Sequence, residues 1–395
     1  MTCTAVAACS PYACKFTTLL QSLRVRLALA PPADLGQSCT KGTFCRELVL
    51  GVSALETVLA THKKVVEDGY TEQRMPRFRS YAVTTLRGGV GKSTLSFNLA
   101  HELAGRRPLL IADMCAQCNM TETLMPDEHP KVNIVNALEP VLLGPAFGEA
   151  PSDVTYRVSQ YCESFKTQKP AYLVPGSPAM FAFPSQLYQQ LQTAHSGRRP
   201  EAVKALLESL RSVLDSQAAD RGAEGVLMDT SPFYAGGTHL AWCAADAVII
   251  PVRVDEHSLD SLELTLDMLS NSSKDFQMWN ERAGGRQTPR VAAVVMTMVG
   301  SKSRLRATPD RASTMYIERA IEIALRYPLL FDTDPVDTIV VTDDFVSSGR
   351  ISGAKSIPIS QLNVGQFHSV QGKRLQVNSS VQRYQRELAY LASVI

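Results

Sequence analysis

Tyr81-Ala-Val-Thr-Thr-Leu86 runs directly into Arg87-Gly88-Gly89-Val90-Gly91-Lys92-Ser93-Thr94, and Leu95, Leu99 and Leu103 then recur at helical spacing. The succession is an apolar strand, a glycine-rich turn and the start of a helix, the context a phosphate-binding loop requires. Gly88, Gly89 and Gly91 let the backbone turn and aim its amides at phosphate oxygens. Lys92 supplies a point charge for the β and γ phosphates, and Ser93 is placed to ligate magnesium. The helix dipole favours the same anion. A plain glycine turn between strand and helix is the bland alternative, and it leaves the Lys-Ser pair at the helix start without a reason. The loop therefore predicts a nucleoside triphosphate with Mg2+.

Beyond the loop, short apolar runs alternate with longer helical patterns. The runs are Tyr81 to Leu86, Pro108 to Ala112, Ala171 to Val174, Gly225 to Met228, Ala247 to Val252, Val291 to Met296 and Thr338 to Val341. Runs without polar alternation indicate parallel strands covered on both faces. The expected fold is α/β, a doubly wound and mostly parallel sheet with helices on both faces. Glu201 to Ala218 is one of the helical stretches.

Before the loop, Leu48, Val52, Leu55, Leu59 and Val66 fit a helix from about Phe44 to Asp68. Arg74, Arg77 and Arg79 around Pro76 make a basic linker, so the main boundary is expected at residue 80. The expected organisation is a flexible segment over 1–43, a small helical extension with its linker over 44–79, and the catalytic domain over 80–395. Residues 1–33 hold no acid and resemble a transit peptide in composition, but nothing marks a cleavage site.

Composition excludes several classes. At 45% hydrophobic and 20% charged, the chain has a globular make-up, and a net charge of +2 confines any anion-binding surface to a local patch. Nine irregularly spaced cysteines do not form a disulfide scaffold, which favours a reducing compartment. Cys115-x-x-Cys118 is half a metal motif without a second half at ligand spacing. The stripe Val381, Tyr384, Leu388 and Leu391 near the end reads as a docked helix, since Arg383 and Arg386 give it little of the charged face a membrane helix wants.

Leu86 stands where the general phosphate-loop pattern has its first glycine. Arg87-Gly-Gly-Val-Gly-Lys-Ser instead resembles the deviant Walker A loop of the ParA/MinD ATPases, K-G-G-x-G-K-[ST]. Leu109-Leu-Ile-Ala-Asp113-Met-Cys115-Ala-Gln117-Cys-Asn119 is similar to that family's switch segment. Val226-Leu-Met-Asp229-Thr-Ser231-Pro232 looks like its Walker B strand and turn, and Ala244-Ala-Asp246-Ala-Val-Ile-Ile-Pro251 like the strand that follows. Val341-Thr-Asp343-Asp344 and Gly353-Ala-Lys355-Ser-Ile-Pro358 echo its later motifs, so the resemblance spans roughly Tyr81 to Ile359.

The resemblance implies an ATPase that pairs as a homodimer around ATP, binds nonspecific DNA in that state, and is reset by a ParB-like activator. A cytoplasmic, nucleoid-associated protein is implied, with a membrane role unlike its tail. It carries catalytic roles to Arg87, Lys92 and Asp113, with the loop residues Gly88 to Thr94 on the nucleotide. Ser93, Asp113 and Asp229 fall on the magnesium side, Thr297 falls where relatives contact the base, and Asp344 is a further nucleotide-binding position. Lys302, Arg304, Arg306, Arg350 and Lys355 become candidates for DNA phosphates, with Lys373 and Arg374 adding charge.

Two departures matter. Arg87 replaces the lysine that in the family reaches the partner's phosphates, and a guanidinium is longer, planar and forked. Cys115 replaces the second switch aspartate, and a thiol is a poor general base. Slow or partner-dependent hydrolysis is expected, with a nucleotide-gated scaffold as the alternative. Thr297 stands in place of an adenine-contacting asparagine. A membrane-cycling ATPase is a further alternative, whereas an iron–sulfur reductase is disfavoured because Cys115 and Cys118 lie in the switch segment.

Overall fold

Successive side chains of β1 (Ser80–Val83), β2 (Leu109–Asp113), β5 (Gly225–Asp229) and β6 (Ala247–Arg253) enter two different cores. Ala82, Leu110, Ala112, Val226, Met228, Val248 and Ile250 join one. Tyr81, Val83, Leu109, Ile111, Leu227, Ala247 and Ile249 join the other. A period of two with both phases apolar produces a sheet buried on both faces.

The structure, a computed structural model, describes residues 42–69, 74–144, 148–300 and 308–395, with side chains described from residue 53. β3 (Tyr156–Arg157), β4 (Ala171–Val174), β7 (Arg290–Val299) and β8 (Ile339–Asp343) complete an eight-stranded sheet. Its order is β3-β4-β2-β5-β1-β6-β7-β8, and every pairing is parallel except that of β3 with β4. All seven expected strands form. The edge strand β3 is too short and polar to stand out in the sequence. β1 lies between β5 and β6, so the loop leaving β1 sits where the winding of the sheet reverses, the usual ligand crevice of such sheets.

The helices are α1 (Gly42–Asp68), α2 (Lys92–Ala104), α3 (Asn119–Leu124), α4 (Ile134–Leu143), α5 (Phe183–Ser196) and α6 (Pro200–Arg221). They continue with α7 (Gly236–Ala244), α8 (Glu256–Ser270), α9 (Asp275–Arg282), α10 (Arg311–Leu325), α11 (Val346–Lys355) and α12 (Val381–Val394). α4 to α10 cover the first face, and α2, α3, α11 and α12 the second. Val381, Tyr384, Leu388 and Leu391 are all buried in the second core, so the apolar stripe of α12 docks inward. Among the described residues, no helix is long and apolar enough to cross a membrane.

The unit that holds the sheet begins at Val49, ahead of the boundary expected at residue 80. Ala54, Val58, His62, Val65 and Val66 form a buried stripe on α1 at helical spacing. His62 Nε2 lies 3.8 Å from the buried carboxylate of Glu387 on α12, and Arg386 donates to the carbonyls of Val66 and, at 3.1 Å, Glu67. Of the unit ending at Leu48, only the helix start from Gly42 is described, so the expected flexible segment lies outside the described residues.

Candidate functional site

The loop from Leu86 to Gly91 joins β1 to α2. Gly89 and Gly91 have φ of 76° and 81°, left-handed conformations that a side chain would strain. Gly91 is also the residue before α2, with no side chain capping the first turn. The free amides there are the donors an anion needs. A Cβ built on Gly88 or Gly89 would meet nothing within 4 Å, so the loop is open beside these glycines. Two hydroxyls brace it from behind: the Leu86 amide donates to Ser261 Oγ at 3.0 Å, and Thr297 Oγ1 donates to the Val90 carbonyl at 2.9 Å.

Beneath the loop lies a buried carboxylate. Asp229 ends β5 with no solvent exposure, and Lys92 Nζ is 2.9 Å from its Oδ1. Ser96 Oγ donates to Oδ1 at 2.6 Å, and Ser93 Oγ reaches Oδ2 at 3.4 Å. A buried charge needs such compensation. Strand register sets Asp113 beside Asp229. Asp113 Oδ1 accepts from the Cys115 amide at 3.0 Å, and Oδ2 accepts from the amide and hydroxyl of Thr121, each at 2.8 Å. Burial, and then the charge of Asp229, push Asp113 up to about 6. The Gly176 amide donates to Thr121 Oγ1 at 2.9 Å, and a Cβ at Gly176 would fall 2.9 Å from Asp113 Cγ, so only glycine fits.

Asp113 is thus tied to the switch segment through Cys115 and Thr121. Both its oxygens are engaged by that segment, as both oxygens of Asp229 are engaged by Lys92, Ser96 and Ser93. Cys115 is 2% exposed, so its thiol is buried. Burial, followed by Asp113, pushes the Cys118 thiol up to about 12, well away from a reactive thiolate.

Arg87 lies on the rim, its Nε 3.5 Å from Asp255 Oδ1. Asp255 precedes α8 and caps it, accepting from the Ser258 amide at 2.9 Å. Thr297, expected near the base, donates its hydroxyl to the loop carbonyl of Val90. Asp344 is exposed after β8 and accepts from the Val346 amide at 3.0 Å. Thr94 packs near Gly349 of α11, which brings that helix against the loop's own helix. Arg350 and Lys355 are exposed on α11, with no ion-pair partner among the described residues, while Lys302, Arg304 and Arg306 lie outside the described residues.

Sequence reasoning missed Ser96, Thr121, Gly176, Asp255 and Ser261. Ser96 carried a signal, since three residues after Ser93 on a helix it must share that face. The others meet the site through long-range packing that no local pattern encodes.

Residues 78–279 match the AAA_31 family model, described as an AAA domain. The chain is 26% identical over 231 residues to the chromosome-partitioning ATPase Soj of Thermus thermophilus, covering 58% of this chain and 73% of that one. Its fold is similar to an ATP complex of McdA from Cyanothece, with a TM-score of 0.53 at 18% identity over 72% of this chain and 90% of that one. A protein of Corynebacterium diphtheriae gives a TM-score of 0.51 at 17% identity, over 70% and 97%.

Proposed function

The chain belongs to the AAA domain family and, within it, to the ParA/MinD-type P-loop ATPases, and from that premise we propose that it is a partition or cargo-positioning ATPase. It binds ATP with Mg2+, dimerises around the nucleotide, holds nonspecific DNA in that state and is reset by a ParB-like activator. The observation that carries this reading is the buried Asp229 held by Lys92, Ser93 and Ser96 directly under an open glycine loop.

The residues divide the work. Lys92 exchanges Asp229 for the β and γ phosphates, and the loop amides and α2 dipole take the remaining charge. Ser93 and Asp229 would hold the magnesium, which supplies charge neutralisation between the terminal phosphates. Arg87 leaves Asp255 to meet the phosphates of the partner copy. Asp113 transmits the state of the site to the switch segment through Cys115 and Thr121.

A second reading, a nucleotide-gated scaffold with little turnover, is favoured by the buried thiol of Cys115 at the position where relatives carry a carboxylate. Binding to nonspecific duplex DNA with ATP, ADP and no nucleotide, over a salt series, tests the partition reading. Tight, salt-sensitive binding with ATP alone is expected, and equal binding in all three states would count against it. A cytoplasmic location follows from the same reading.

A further inference from the structure

Cys115-Ala-Gln-Cys118 is a paired-thiol motif that the nucleotide chemistry leaves unused. Its four residues form one turn between β2 and α3, closed by the Cys118 amide donating to the Cys115 carbonyl at 3.0 Å. A turn of this kind holds its first and last Cα atoms within about 7 Å, and a disulfide spans about 4.4–6.8 Å between Cα atoms. The backbone is therefore at bridging distance while both thiols are free. Cys118 takes φ of 55°, a left-handed conformation that glycine or asparagine would occupy at lower cost. The turn alone gives no reason for a cysteine there. No group of three or more potential metal ligands occurs among the described residues, so the pair is not part of a zinc site.

The two thiols differ in access. Cys115 is buried, whereas Cys118 is half-buried beside the exposed Gln117. The turn also lies between the two anchors of the buried Asp113. The Cys115 amide holds one carboxylate oxygen, and Thr121 on α3, the helix that Cys118 precedes, holds the other. The upstream end of the segment is tied as well, since the Met114 amide donates to the Asp229 carbonyl at 2.8 Å. A covalent bond across the turn would stiffen the link between the two anchors.

We propose that Cys115 and Cys118 form a reversible disulfide that locks the switch segment and makes its response to nucleotide redox-dependent. The bond stands on the turn geometry alone, and its effect on dimerisation rests on the partition reading. The oxidant is a low-molecular-weight disulfide such as oxidised glutathione. Cys118 Sγ attacks one of its sulfurs, losing a proton to solvent and releasing one small thiol. Cys115 Sγ then attacks Cys118 Sγ in the mixed disulfide, loses its own proton and releases the second small thiol. Two protein thiols are oxidised, and one small disulfide is reduced to two thiols. The raised thiol of Cys118 slows the first step. It slows the return too, because a thiolate of high pKa leaves poorly and Cys115 is closed to outside reductants. The bond is thus a latch set by sustained oxidation. Redox sensing is the use such bonds have in a reducing compartment.

The test uses the full-length protein, equilibrated in glutathione buffers from fully reduced to fully oxidised and then alkylated. Peptide mapping of wild type should show residues 115 and 118 joined, and dithiothreitol should release them. Sedimentation velocity then compares ATP-dependent dimerisation of the two forms. The oxidised form should dimerise about tenfold more weakly, a factor typical of coupling between sites, with ATP affinity by calorimetry unchanged. Cys118→Ser should dimerise equally in both buffers, which sets aside the remaining cysteines. Absence of the 115–118 bond at full oxidation overturns the proposal. So does a mapped bond that leaves dimerisation unaltered, or a Cys118→Ser variant that oxidation weakens just as much. A reduced wild type that stays monomeric with ATP yet forms the bond overturns the partition reading and leaves the disulfide standing.

Discussion

The guanidinium of Arg87 faces Asp255 of its own chain at 3.5 Å, and Arg253 faces the other oxygen of the same carboxylate at 3.5 Å. Two arginines thus compete for one acid, and one of them is the residue proposed to reach the phosphates of a partner copy. Asp255→Asn keeps the cap on α8, because asparagine caps as well as aspartate, and removes the charge that holds Arg87. ATP-dependent dimerisation should then tighten. Arg253→Ala should weaken it by leaving Asp255 to Arg87 alone, and Arg87→Ala should abolish it. A partly exposed pair contributes about 0.2–1 kcal/mol, so the first two shifts should be about 1.4- to fivefold in opposite directions. Sedimentation velocity with ATP reads all three, and shifts of the same sign would refute the competition.

Thr297 bears on the loop through the Val90 carbonyl. Removing its hydroxyl in Thr297→Val leaves the buried Val90 carbonyl unpaired, a loss of about 1 kcal/mol and therefore about fivefold in nucleotide affinity. Thr297→Ser should bind like wild type. Calorimetric titration with ATP and with GTP checks the assignment: a change in base preference, with affinity for ATP intact, would return Thr297 to the base pocket.

Cys115 is the position where chemistry and burial conflict. Wild-type turnover should be slow, and Cys115→Asp should raise it while lowering stability by roughly 1–3 kcal/mol, the cost of burying a poorly paired polar group beside Asp113. Steady-state phosphate release and thermal melting report the two effects together. A fast wild type that Asp does not improve would sink the slow-switch reading.

His239 gives a prediction in pH. It is fully buried among the rings of Tyr188, Tyr234 and Phe276, and burial, then Arg286, push it down to about 3. A depressed histidine is neutral in the fold and charged in the unfolded chain below about 6.5, so its stabilising share is present above that pH and lost as pH falls. Asp113, raised to about 6, acts in the opposite sense: its share is present at low pH and lost as pH rises through that value. The difference between wild type and His239→Phe isolates the histidine. From pH 6 downward to about 4, wild type should lose about 1.4 kcal/mol per pH unit more than the variant. Urea melts across that range measure it, and parallel curves would mean that His239 is protonated in the fold.

The seven main strands and the phosphate loop were legible because their signals are local: unbroken apolar runs, and glycines with Lys-Ser at one strand end. Asp229 was legible for the same reason. Ser261, Gly176 and Asp255 were not, since each reaches the site from a distant element and looks ordinary in its own surroundings. The antiparallel ribbon of β9 (Phe367–Val370) and β10 (Lys373–Gln376) escaped notice because its strands are four residues long and largely exposed, which erases the apolar pattern. Arg87 and Cys115 could be singled out as departures, but their settings, one in an ion pair and the other buried, depend on side-chain geometry.

The contact between α1 and α12 has a practical side. A recombinant fragment trimmed to residue 80, the natural choice from motif boundaries, would remove His62 from beside Glu387 and strip Arg386 of its carbonyl acceptors. Glu387 also accepts from the Asp343 amide at the end of β8, the strand that leads to Asp344. Poor yield or feeble nucleotide binding in such a fragment would report the amputation and say nothing about the intact protein, so expression vectors should retain the whole of α1.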